Sequence, residues 1–208
     1  VESDLIGRRL GPYEFTELVA RDGQVEVYRG FDARLERLVT IWIVGRERGD
    51  DPVFNARFRR EMRAITSLHH PNVVELLDFG QVEGGHYMVT AYAEGLTLAT
   101  LLDEVRAGQR ALEPDDITFM IRQVAAALDH AHRRGVTHGS VSPDQIVLTR
   151  SGQAVVMGFG AALLRSRAAR SGENAPTGPV DYLAPEQLAD PRAAGPASDV
   201  YSLGVILY

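Results

Sequence analysis

Cysteine is absent from the 208-residue chain, which excludes disulfides and thiolate metal sites and fits a reducing, cytoplasmic location. No apolar run approaches the ~20 residues that a membrane helix needs. The opening stretch, "VESDLIGRRLGPYEF", lacks the apolar core of a signal peptide. The formal net charge of −6 gives no reason to expect a nucleic-acid partner. Internal repeats and long low-complexity tracts are missing too. The chain starts without Met and stops inside the apolar run "DVYSLGVILY", so it is expected to be a fragment whose parent could be membrane-anchored elsewhere.

What is present is ordinary for a globular protein: 45% hydrophobic and 24% charged residues. The first ~90 residues read as short strands around one helix. "YEFTELVA" and "VEVYRGFD" are β-rich and parted by a turn at "RDG"; "RLVTIWIV" is continuously apolar at its centre; "NVVELLDFG" and "HYMVTAYA" complete five strands. Between them, Phe54, Phe58, Met62, Ile65 and Leu68 recur at helical spacing, with Asp50 or Asp51 as the expected N-cap and Pro52 in the first turn. After "AEG" the pattern turns helical. "LTLATLLDEVRAG" and "EPDDITFMIRQVAAALDHAHRRG" are amphipathic helices, the second with Pro114 near its start and Gly135 at its end. "QIVLT" and "AVVMGF" form a short β-pair. "AALLRSRAARSGENAPTG" has no clear period and reads as a mobile loop, before "YLAPEQLAD" and "PASDVYSLGVILY" return to helix.

The order of these elements, with "VYRGFD", "FRREMRAITSLHHPNVVELLDFG", "HGSVSPDQIVL", "GFG", "GPVDYLAPEQ" and "SDVYSLGVILY" in sequence, resembles the eukaryotic-like serine/threonine protein kinases of bacterial type over about residues 12–208. The resemblance implies an α+β, two-lobed kinase-like fold. Its N-lobe would be a five-stranded antiparallel sheet plus one helix, and its C-lobe mainly helical and truncated within its central helix. The boundaries it implies are an extension at 1–11, an N-lobe at 12–93 and a C-lobe at 94–208.

The resemblance also implies what each working part should be. A glycine loop of pattern G-x-G-x-x-G-x-V would cover the nucleotide phosphates; "ARDGQVEV" puts Ala20, Asp22 and Val25 at its glycine positions, with Gly23 between them. The strand lysine of V-A-I-K is Trp42, and the helix glutamate that would pair with it remains as Glu61. In the catalytic loop the Asp, Lys and Asn positions hold Ser140, Ser142 and Gln145, and the preceding Arg is Gly139. The metal-binding Asp of D-F-G is Gly158, and the threonine before the A-P-E segment is Pro179. Mg²⁺ requires oxygen ligands, carboxylates above all, and Gly158 supplies none. The family cofactors ATP and Mg²⁺ are therefore not expected to bind productively, and no metal site is expected. Asp144 and Asp181 are the nearest acids that could compensate.

The architectural positions are retained. Ile65, His138, Phe159 and either Leu76 or Leu77 would form the stack joining the lobes, and Asp199 would accept backbone hydrogen bonds near His138. The degenerate nucleotide cleft would be lined by Val19, Val27, Thr40, Trp42, Glu61, Thr90, Tyr92 and Val147. The blander readings stand beside these. Trp42 can be simple core, Glu61 a solvated helix residue and "RSRAARS" a solvated loop. His69–His70 fits the family's helix-to-loop junction, and His130/His132 stand at helical i, i+2, positions that do not face one another. The reading favoured by the sequence is a pseudokinase: a regulatory or interaction module without phosphoryl transfer, binding a protein partner such as an active kinase. The alternatives are an active or weakly active serine/threonine kinase and a nucleotide sensor that needs no metal.

Overall fold

The computed structural model describes residues 5–22, 25–44, 52–82, 85–168, 179–190 and 193–208. One antiparallel sheet dominates the first half. Its strands are β1 (Arg9–Leu10), β2 (Tyr13–Asp22), β3 (Val25–Asp32), β4 (Arg37–Val44), β5 (Leu76–Val82) and β6 (Gly85–Ala91), in the spatial order β1-β2-β3-β4-β6-β5. The expected five strands are thus six. The sixth, β1, arises because Leu5 is buried against Tyr13 and Phe15, which folds residues 5–10 back so that Arg9 and Leu10 pair with Glu14 and Tyr13.

Both faces of this sheet are covered, and that explains the uninterrupted apolar centre of β4. Val39, Ile41 and Ile43 point into a small outer core with Phe15, Tyr28 and Val89, while Trp42 and Val44 point into the main core. Alternation along a strand signals one buried face; a strand buried on both sides loses it. Helix α1 (Pro52–Thr66) packs on the main-core side through Phe54, Phe58, Met62 and Ile65, as its period requires. The proposed caps Asp50 and Asp51, and the turn glycine Gly23, lie outside the described residues.

The "NVVELLDFG" strand starts later than expected, at Leu76. Asn72 to Val74 are drawn away by the second half of the molecule. The Asn72 amide donates to the Ala154 carbonyl at 2.7 Å and to Gln123 Oε1 at 2.8 Å, and Val74 N–H donates to the Val156 carbonyl at 2.9 Å.

The second half is mainly helical. Leu96 and Thr97 form a two-residue strand, β7, pairing with β8 (Ile146–Leu148), so that helix α2 (Leu98–Arg106) begins two residues later than its sequence suggests. Thr97 caps it, its hydroxyl accepting from the Thr100 N–H at 3.1 Å. Helix α3 (Pro114–His132) opens on its proline and closes into Gly135, which adopts φ +69°. Strand β9 (Ala154–Val156) completes the small sheet β7-β8-β9.

Residues expected to form a mobile loop instead contain helix α4 (Ala161–Ala168). Ala and Leu favour helix intrinsically. The period was invisible because Ala161, Leu163 and Leu164 are all buried, leaving no polar face at the start of the helix. The rest of the expected loop, 169–178, lies outside the described residues. A 3-10 turn at Val180–Tyr182, α5 (Pro185–Ala189) and α6 (Pro196–Leu207) follow. Among the described residues no helix is long and apolar enough to cross a membrane.

Candidate functional site

The site lies where the sheet meets the helical half, and one apolar core runs through both. Trp42, on β4 between Val27 of β3 and Met88 of β6, is 4% exposed. It shares that core with Val25, Val44, Leu163 and Leu164. Helix α4 packs against β3 and β4 and brings aliphatic side chains to the side of the cleft that the resemblance assigns to phosphates. Val25, at one of the glycine-loop positions, is buried here as well.

The other cleft positions are spread along the same sheet. Val27 is partly buried against the main core, Thr40 is half-buried opposite Thr90, and Thr90 and Val147 are buried. Val19 sits at a bulge between Leu18 and Ala20 and is 60% exposed. Tyr92 lines a different space: a cavity of about 790 Å³ on the helical side, floored by Leu101, Leu112, Met120 and Leu148.

Glu61 is engaged on its own helix. It pairs with Arg57, one turn earlier on α1, at 2.7 Å. Together with Arg60, Ile65 and Gly139 these two residues border a cavity of about 440 Å³ between α1 and the loop at 135–139. A cation placed at position 42 would compete with Arg57 for Glu61.

The loop 138–145 is held as a packed element. His138 is buried and neutral: its Nε2 bonds the Met157 carbonyl at 2.8 Å, while Nδ1 accepts from the Ser140 N–H at 3.3 Å. That arrangement places the proton on Nε2. Burial pushes the imidazole below its ordinary value, outweighing the attraction of Asp199. Asp199 is buried and accepts from the N–H groups of His138 at 2.9 Å and Gly139 at 2.8 Å, as expected. It also bonds His132 Nε2 at 2.8 Å. Ser140 Oγ accepts from Arg165 of α4 at 3.3 Å.

The stack across the lobes is formed. Ile65, Leu76 and Phe159 share the main core, and the His138 and Phe159 rings meet edge to face with centroids 4.7 Å apart. Leu76 takes the fourth place, since Leu77 packs on the outer core.

Gln145 and Gly158 touch. A Cβ built on Gly158 would overlap Gln145 Oε1 and lie 3.0 Å from Gln145 Cδ. Gly158 has φ +86°, a conformation costly for any other residue. Gln145 Oε1 is buried without a hydrogen-bond partner. Ser142 is buried nearby in sequence, and Asp144 and Asp181 are exposed. These residues do not fit Mg²⁺, which takes six oxygen ligands with carboxylates among them. Among the described residues there is no group of three or more His, Cys, Asp or Glu able to hold a metal. His70 and His130 do come together, rings 4.9 Å apart, but His132 is turned to Asp199 and His69 to the Ser67 carbonyl.

Three participants escaped the residue-by-residue reading. Gln187 is buried and donates to the Gly139 carbonyl at 2.8 Å while accepting from Ala184 N–H at 3.2 Å, tying the loop to α5. Arg165 reaches Ser140 from a segment read as loop. The third is an absence visible in the sequence: all 22 basic side chains are arginine, so no lysine exists anywhere to replace the one missing from β4.

A comparison with known families matches residues 13–208 to the protein kinase domain. Among curated proteins, the chain is 34% identical to the serine/threonine-protein kinase PrkC of Bacillus subtilis, over 98% of this chain and 31% of that protein. It is 37% identical to a probable serine/threonine-protein kinase of Streptomyces coelicolor, over 97% of this chain and 30% of that protein. The chain thus spans about a third of the length of these relatives. Among solved structures, the PknI kinase domain of Mycobacterium tuberculosis superposes with a TM-score of 0.73 at 23% identity, covering 97% of this chain and 74% of that one. The PpkA-294 apo form also gives 0.73 at 23% identity, over 97% and 76%. Those two likenesses speak to the fold.

Proposed function

Because this chain belongs to the protein kinase family, we propose that it is a member without phosphoryl transfer: a pseudokinase domain serving as a regulatory or protein-interaction module. Kinases work by positioning a nucleotide and neutralising charge as the phosphoryl group moves. The observation that supports the reading best is an apolar core on the phosphate side, where Trp42, Val25 and Val44 are buried together with Leu163 and Leu164. A polyphosphate brought there would lose its hydration and find no lysine on β4 to receive it. The residues at the reacting positions add support, since Ser140, Ser142, Gln145 and Gly158 supply neither base nor anionic metal ligand. Loss of one member of a catalytic set commonly costs ~10³-fold or more. Asp144 and Asp181, the acids nearest in sequence, are both exposed.

On this reading the partner is a protein, such as an active kinase, met in the cytoplasm; ATP and Mg²⁺ play no productive part. Two other readings have an observation each in their favour. The relatives bear the names of serine/threonine kinases, which favours an active enzyme. The wall formed by Val27, Thr40, Thr90 and Val147 suits an adenine ring, which favours a nucleotide sensor without metal.

One experiment separates the three. Full-length parent protein is incubated with γ-labelled ATP, Mg²⁺ or Mn²⁺ and generic substrates, and its melting is followed with ATP in the presence and absence of Mg²⁺. The expected result is background labelling and no shift. Labelling that is lost in Ser140→Ala or Gly158→Ala would establish the enzyme and overturn the proposal. A metal-independent shift, with saturable quenching of Trp42 fluorescence, would establish the sensor.

A further inference from the structure

We propose that the Gln145 amide is a built-in occupant of the position where the family places its metal, packed into the volume that a side chain at Gly158 would need. The inference deepens the reading above and shares its premise that no metal is held.

The backbone drives the two residues together. Gln145 ends a 3-10 turn at Pro143–Gln145, its N–H donating to the Ser142 carbonyl at 2.9 Å. Its own carbonyl accepts from the Met157 N–H at 2.9 Å, and the next residue, Ile146, pairs with Val156. Position 145 is therefore latched to the strand that leads directly into Gly158. The amide ends against Gly158: an added Cβ would overlap Oε1 and sit 3.0 Å from Cδ.

The state of the amide oxygen shows that packing, not hydrogen bonding, holds it. Gln145 is 7% exposed and its Oε1 is buried without a partner. Buried acceptors nearly always find a donor. Here the oxygen meets the one residue type with no side chain to offer. A single neutral oxygen is also too little for Mg²⁺. Gln145 and Gly158 are thus a complementary pair: a larger residue at the ligand position of the loop and the smallest at the ligand position of the following strand. A carboxylate restored at 158 alone would have to expel the amide.

The test is a double-mutant cycle in the full-length parent: wild type, Gln145→Ala, Gly158→Ala and the double variant, compared by melting temperature. Gly158→Ala carries both backbone strain and the overlap with the amide, while in the Gln145→Ala background only the strain remains. The expected loss on Gly158→Ala is therefore several degrees smaller in that background. Additive losses overturn the proposal. Should neither variant at 158 fold, Gln145→Met decides, because it keeps the reach without the stranded oxygen. It is expected to melt at or above wild type, and a clear drop would mean that a donor engages the oxygen, overturning the proposal. Finally, Gly158→Asp with Gln145 intact is titrated into Mn²⁺ and followed by electron paramagnetic resonance. The free-ion spectrum is expected, and site-bound Mn²⁺ would sink the idea. The cycle reads packing and not turnover, so its failure is distinct from the discovery of phosphoryl transfer in the wild type.

Discussion

At the scale of single residues, two polar side chains keep architectural tasks in the loop at 138–145. Asp199 keeps its task because it bonds backbone: the His138 and Gly139 N–H groups need an acceptor whether or not chemistry happens nearby. His138 keeps its place because an imidazole can bridge the Met157 carbonyl and the Ser140 N–H in one tautomer. This gives a pH prediction. Burial lowers the His138 value in the folded state below its ordinary 6.5, so the unfolded chain binds the proton more readily. Stability is then fully present above about 6.5 and falls as pH drops below it, with the slope set by the extra proton bound on unfolding. His130, lowered by burial and by Arg134, acts in the same direction. Urea denaturation at pH 7.5 and at pH 5.5 should show a lower midpoint at the acid value. His138→Phe should reduce that difference while leaving the part due to His130. An unchanged difference would mean that His138 is not held neutral.

At the scale of elements, α4 decides the character of the cleft. Its first turns hold Leu163 and Leu164 in the main core, against the sheet face that carries Trp42 and Val44. Leu164→Ala should destabilise the protein by about 2–5 kcal/mol, the usual cost of emptying a leucine site in a core. A solvent-exposed loop leucine would cost within about 0.5 kcal/mol. The measurement is equilibrium denaturation of the variant beside wild type. A loss of the smaller size would show that α4 does not close the cleft in solution. Helix α1 makes the opposite case. Its buried face of Phe54, Phe58, Met62 and Ile65 was plain from spacing, yet the engagement of its glutamate with Arg57 was not. A one-sided period reveals which face is buried; it says nothing of which of two neighbours an exposed carboxylate will choose.

At the scale of the whole molecule, two devices bind the sheet to the helical half. One is the stack of Ile65, Leu76, His138 and Phe159. The other is the segment at 72–74, where the Asn72 amide donates to Gln123 Oε1 and to the Ala154 carbonyl, and Val73 bridges Val156. Asn72→Ala leaves the Ala154 carbonyl without that donor inside the protein, at a cost of about 1–3 kcal/mol. Denaturation followed separately by Trp42 fluorescence, on the sheet side, and by far-UV circular dichroism, dominated by the helices, should give coincident curves in wild type. Asn72→Ala should lower the midpoint, and separated curves in that variant would locate the joint between the halves.

The sequence by itself determined the order of the longer strands and helices, the kinase-like fold, the buried face of α1, most of the lobe-joining stack and the backbone role of Asp199. Each is written in local spacing or in motifs that recur in family order. It also determined which charges are missing, including every lysine. The tertiary structure alone decided the rest. The sixth strand exists because Leu5 finds the outer core. Helix α4 exists where no period announced it, because burial on several sides erases amphipathic patterning. Glu61 turned to Arg57, and Gln145 came to rest against Gly158 across 13 positions of chain. Such contacts depend on which segments meet in space, which no local pattern encodes.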